Sequence, residues 1–243
     1  MKWYHKLGIG ILTFAVGLVP SGTIVQNRVS KSIPPYVESH LETIIKDQER
    51  ILGIKHFGIP QVLFGPSPKD KTTPPGKYDP ENDTIYLAVR WVTTPENNLA
   101  NTLLKCLYLG CTKNIKETLD HELGHFYNDK LNESLGNGNY PKDYNSATNR
   151  LISEGIATYF NRTINDGKDD FKDSDWPEKF EYLWGYLAYD GGFHLVKPII
   201  DRYGKEGIKY LITNPPNIQD LNNINTLKAY QNRVIKSLSK QNP

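Results

Sequence analysis

Thr118-Leu119-Asp120-His121-Glu122-Leu123-Gly124-His125 is the stretch from which the rest of the chain is best read. It carries the pattern His-Glu-x-x-His. Residues four apart lie one above the other on a helix face, so His121 and His125 offer two imidazoles to one point in space. Glu122 follows the first histidine and can point toward the same place without ligating anything there. Two nitrogen donors beside a free carboxylate are what a bound metal ion and a base for its water require. The spacing predicts a helix from about Lys113 to Leu131. A solvated helix with two idle histidines is the other reading of the same residues.

A catalytic zinc usually takes three protein donors and leaves a fourth position for water, so the motif needs a partner. The extension with Gly three and His six residues past the second histidine is ruled out, because those places hold Asn128 and Leu131. The extension with Glu roughly twenty residues on also fails, since that region holds Tyr144 and Asn145. Asp129 lies one turn past His125 on the same helix and is poorly placed to close a tetrahedron. Glu133 and Asp143 fall in a loop, and spacing leaves them open. Glu154 is the stronger candidate. It stands in the apolar run Leu151-Ile152-Ser153-Glu154-Gly155-Ile156-Ala157. Burying an unpaired carboxylate costs several kcal/mol, so it needs a cation or an opening to solvent. Gly155 and Ala157 are small enough to let this second helix, about 146–162, come close to another.

Around these two helices the chain reads as one α+β domain. Residues 1–22 have a basic start (Lys2, His5, Lys6) and an apolar run from Leu7 to Val19, broken by Pro20-Ser21-Gly22. That order suits a signal peptide; extended through Val25 it could be an uncleaved membrane anchor, leaving the remainder outside the cytoplasmic membrane. An amphipathic helix follows Pro34-Pro35 and stops near Gly53. Ile59–Phe64 reads as a strand, 65–76 as a loop, Pro80–Asp83 as a turn and Thr84–Val89 as a second strand. Pro95–Cys111 looks helical. Cys106 and Cys111, the only 2 cysteines, are spaced for neither a metal hook nor a redox pair; a small disulfide and two free thiols both fit. Residues 132–145 read as a connecting loop. Residues 165–178 form an acidic loop without EF-hand spacing, so Asp169, Asp170, Asp173 and Asp175 are read as solvated. Helical segments are expected at Phe180–Leu187, Phe193–Tyr203, Ile208–Ile212 and Ile218–Ser239. Net charge is +2 with scattered Lys and Arg, which gives no basis for a nucleic-acid partner.

The pair His121-Glu122-Leu123-Gly124-His125 and Glu154-Gly155-Ile156-Ala157-Thr158-Tyr159-Phe160 resembles the gluzincin branch of zinc-dependent metallopeptidases. The likeness covers roughly residues 77–205. In that branch a Glu from a following helix, often within Glu-Gly-x-Ala, completes the zinc site. Gly76–Pro80 with Thr84–Leu87 is similar to the strand at the upper rim of the cleft. Tyr189-Asp190-Gly191-Gly192 with Tyr203-Gly204 looks like the Tyr-x-x-Gly and Tyr-Gly helix of these families. The resemblance implies a zincin-like fold, a small mixed sheet on the motif helix with a mostly helical C-terminal half. It implies one Zn2+ on His121, His125 and Glu154, Glu122 as general base, and a peptide or protein substrate. Tyr189 is then the first choice for the donor to the oxyanion, with His194 and Tyr186 as rivals. Thr158 stands where the family often has an acidic residue, so support for a ligand histidine must come from elsewhere. A zinc-containing binding or assembly protein of the cell envelope, without turnover, is the alternative. The strand 84–89 is expected to offer its backbone to an extended substrate.

Overall fold

A computed structural model describes residues 37–39, 41–50, 53, 57–66, 76–89, 111–136, 146–164, 171–177 and 187–241. The leader or anchor expected at 1–22, the helix expected at 95–110, Cys106 and hence its pairing with Cys111, Asp143, Asp169, Asp170 and Tyr186 lie outside them. The described part is mostly helical with one small mixed sheet, an α+β arrangement. Among the described residues no helix is long and apolar enough to cross a membrane.

Helix α1 takes in residues 37–39 and 41–50 and buries Val37, Ile44 and Ile45. Gly53, with a φ of 59°, follows it in the left-handed conformation that ends helices. Strands β1 (Gln61–Pro66), β2 (Gly76–Asp79) and β3 (Thr84–Val89) form a sheet in the order β1-β3-β2. β1 runs parallel to β3, pairing Val62 with Ile85, and β2 runs antiparallel to it, pairing Tyr78 with Ile85. The four-residue connection from β2 to β3 is an Asx-type turn. The Asp79 carboxylate accepts from the Glu81 amide at 3.1 Å and the Asn82 side chain at 3.0 Å, and Asp83 takes a φ of 48°.

Two features of this sheet differ from the sequence reading. Gly76–Asp79 is a strand of its own; at four residues it is too short for alternation to announce it. And β3 is the central strand, bonded on both sides, so its backbone is not free for a substrate. The edge on the side of the motif helix belongs to β2. Alternation sorts the faces: Ile85, Leu87 and Tyr78 are buried, while Leu63, Tyr86 and Lys77 form an outward row.

The motif helix α2 (Cys111–Ser134) lies under β2 and β3 and against α3 (Ala147–Ile164). Its residues from Leu119 to Asp129 are buried on every side except at His121, which is half-buried. Leu119, Leu123, Phe126, Tyr127 and Leu131 supply the apolar core contacts. They leave Asp120, Glu122, His125, Asn128 and Asp129 enclosed as well. A helix this polar at the centre of a fold needs partners for such groups, and Asn128 Oδ1 has none among the described residues. α3 adds Leu151, Ile156 and Phe160, and α4 (Gly192–Thr213) adds Phe193, Leu195 and Ile199. Within α4 two helices meet across a kink at Gly204, whose φ of 52° and ψ of -130° are not helical, in keeping with the two segments expected at 193–203 and 208–212. α5 (Ile224–Gln241) closes the C-terminal half with Leu227, Tyr230, Val234 and Leu238 facing inward.

α3 is held close on two sides by small residues. A Cβ at Gly124 of α2 would stand 2.5 Å from Ala157 Cα, and one at Gly155 would stand 2.5 Å from the Gly192 carbonyl carbon. Both neighbours are backbone or near it and cannot swing away. Gly155→Ala is therefore expected to cost about 1–3 kcal/mol by overpacking. Urea unfolding should show the midpoint falling with an unchanged slope; a wild-type midpoint would mean the contact is looser than this.

Candidate metal centre

The close contact of Gly124 with Ala157 decides where Glu154 falls. It brings Glu154 Oε2 to 3.2 Å from His121 Nε2 and 3.5 Å from His125 Nε2. The two imidazole centroids are 4.9 Å apart with their planes nearly perpendicular, at 88°. One donor atom from each of His121, His125 and Glu154 lies within 4.8 Å of the others. Two of these residues came from one helix by spacing; the third comes from the next helix by packing.

His125 is held by more than its backbone. Its Nδ1 lies 3.0 Å from Ser153 Oγ, which leaves Nε2 as the nitrogen turned to Glu154. Ser153 thus supplies the second contact on His125 that Thr158 does not; Thr158 is buried with its hydroxyl unpartnered among the described residues. Sequence reasoning passed over Ser153. The one signal was its place beside Glu154, a small polar residue in an apolar run. Ser153→Ala is expected to weaken metal binding by about 10–100-fold without unfolding the chain. Competition with a chromogenic chelator measures this, and unchanged affinity would show that the hydroxyl orients nothing.

Glu122 lies under β2, within electrostatic reach of His121 and Glu154. A Cβ at Gly76 would stand 2.7 Å from Glu122 Oε1 and 2.6 Å from Thr118 Cγ2, so glycine is what lets the strand cross here. The Tyr78 amide donates to the Glu122 carboxylate. Burial pushes the Glu122 carboxyl up to about 7; the charge of Glu154 adds to this, while His121 and the Tyr78 amide oppose it. A carboxyl near neutrality beside two imidazoles is suited to taking and returning a proton. Glu154 is treated differently by its surroundings. Burial alone would raise it, yet His125 and His121 hold it well below the usual carboxylate range, so it stays charged.

Tyr189 lies on a single π-helical turn, Leu187–Gly191, that runs directly into α4. Such a turn holds one residue more than an α-helical one and re-aims its side chains. The Tyr189 ring stands 5.4 Å from the His121 ring and is 36% exposed, which makes it the solvent-facing wall of the cluster. Burial of its hydroxyl, with Glu154 and Glu122 nearby, raises its pKa to about 12, so it remains a proton donor. The turn is tied down by the Arg162–Asp190 ion pair.

The other candidates are engaged elsewhere. His194 Nε2 lies 3.4 Å from Asp173, its ring is 5.3 Å from the Phe171 ring, and its carbonyl accepts from Gln231 at 3.0 Å. Asp173 also pairs with Lys228, so part of the acidic loop is tied to α5. Asp129 is fully buried, with its Oδ2 2.9 Å from the Tyr78 hydroxyl, which stands equally near Asp83. That link joins α2 to the turn between β2 and β3. Glu133 forms a surface pair with Lys130 at 3.0 Å.

Two imidazoles and one charged carboxylate, mutually within reach and mostly enclosed, suit a divalent transition metal that keeps an open position. His121, His125 and Glu154 would hold such an ion. Comparison of the chain with protein-family models, curated proteins and solved structures finds no match. What the chain can do is therefore carried by its own residues.

Proposed function

We propose that this protein is a zinc-dependent endopeptidase of gluzincin type. The observation that carries the reading is the meeting of Glu154 with both imidazoles, with Glu122, buried and close to neutrality, beside them and outside that donor set. Zinc suits two nitrogens and one carboxylate oxygen, and when bound it would polarise a carbonyl and acidify its water. The chain's own groups do the rest. Glu122 accepts the proton of the attacking water and returns it to the leaving amine. Tyr189 Oη donates to the carbonyl oxygen as negative charge develops there. The edge of β2 offers an extended peptide backbone a strand to join, close to Glu122, in place of the central β3. The basic start and apolar run of residues 1–22 favour export, with the domain secreted or held on the outer side of the cytoplasmic membrane.

The test is metal analysis of the purified full chain together with a broad peptide library. The expected result is one zinc per chain and cleavage that stops with a chelator and returns with zinc. Zinc without any cleavage would favour the envelope binding or assembly protein instead. Loss of both would leave a helical structural domain.

A further inference from the structure

Arg150 stands on α3 one helical turn before Glu154, on the same face, with Ser153 between them in height. The turn that carries Tyr189 runs directly into α4, whose first residue crosses α3 at this level: a Cβ at Gly192 would stand 2.5 Å from the Leu151 carbonyl oxygen. The Arg150 charge reaches the Tyr189 phenol, where it opposes the upward push of burial, Glu154 and Glu122. Arg150 is half-buried, and its Nε is shut off from solvent without a hydrogen-bond partner among the described residues. Of the other described arginines, Arg50 faces Asp47, Arg162 faces Asp190 and Arg233 faces Asp220, while Arg202 lies over the Tyr203 ring. A planar guanidinium within electrostatic reach of Tyr189, and without such a match among the described residues, is complementary to a carboxylate, which it binds through two parallel hydrogen bonds.

We propose that Arg150 is a specificity-determining residue that receives a carboxylate of the substrate. This rests on the peptidase reading and adds a substrate class to it. The carboxylate is either a peptide's own C-terminus or an acidic side chain near the bond that is cut.

Two peptide pairs and two readouts decide it, all with the full chain. The first pair is an N-acetylated pentapeptide as free acid and as C-terminal amide. The second is an amidated peptide with glutamate or with glutamine beside the cleaved bond. Wild-type protein is expected to favour the carboxylate member of one pair by about tenfold or more in kcat/KM, and which pair responds identifies the source of the carboxylate. Arg150→Met should bring that ratio to about one, and Arg150→Lys, which keeps stem and charge, should retain part of it. Thermal unfolding of each variant shows that the fold is kept. The same pairs are titrated by fluorescence anisotropy against Glu122→Gln protein with and without Arg150→Met, reading Kd. No preference in wild type, or a preference untouched by Arg150→Met, overturns the inference while the peptidase reading stands. If wild type cleaves none of the peptides, the peptidase reading falls. The Kd ratios then decide Arg150 alone: a carboxylate preference lost in Arg150→Met supports its role, and equal Kd values overturn it.

Discussion

Glu122→Gln is expected to keep the metal and lower kcat by about 10²–10⁴-fold, the usual contribution of a positioned general base. The amide has the shape of the carboxylate and can still accept from the Tyr78 amide, so the approach of β2 to α2 is preserved. It places no new group among His121, His125 and Glu154. What it lacks is the ability to take a proton. Burial already holds the Glu122 carboxyl near 7, so a neutral group here meets no desolvation cost that the native one escapes. Zinc content by emission spectroscopy and kcat on one good peptide are the two measurements. Full hydrolysis in this variant would remove Glu122 from the mechanism. Loss of the metal would show that Glu122 supports the ligand set itself.

Glu154→Ala is expected to release the metal, with an affinity loss well beyond the ~10–100-fold predicted for Ser153→Ala. Glu154 is the single carboxylate of the donor set, and both imidazoles turn a nitrogen to it within 3.5 Å. Its removal leaves two imidazoles on one helix, too few for a closed site. The fold should survive, because the contact of α2 with α3 is made by Gly124 and Ala157 rather than by the carboxylate. Circular dichroism of the variant checks that, and metal titration reads the loss. Stoichiometric zinc retained at wild-type affinity would mean that another oxygen donor completes the site, and the assignment of α3 to the metal would be wrong.

Much of this was legible in the chain before any coordinates. The pair His121 and His125 follows from helical period alone, because residues four apart share a face whatever lies around them. Glu154 could be singled out because a carboxylate in the run Leu151–Ala157 contradicts its apolar neighbours. The helices around residues 113–131 and 146–162 were placed within a few residues of Cys111–Ser134 and Ala147–Ile164. Tyr189 came from likeness to a family pattern. Its position beside His121 depends on a π-helical turn that no periodicity signals.

Other features were not legible because they are relations between elements distant in sequence. α2 is polar enough to read as a surface helix, yet the sheet on one side and α3 on the other enclose it, and that enclosure is what moves Glu122 toward neutrality. β2 is four residues long and takes its meaning from Gly76, whose missing side chain admits the strand over Glu122. Strand order made β3 central, which a list of strands cannot reveal. Ser153 and Arg150 differ from any other serine or arginine only in what stands opposite them. The sequence by itself determined the donor types and the face on which two of them lie, because those are properties of one helix and its period. Only the tertiary structure decided that Glu154 meets them, that Ser153 contacts one of them and that β2 covers Glu122. Each of those depends on how closely two backbones approach, and that distance is set by small residues packing across the fold.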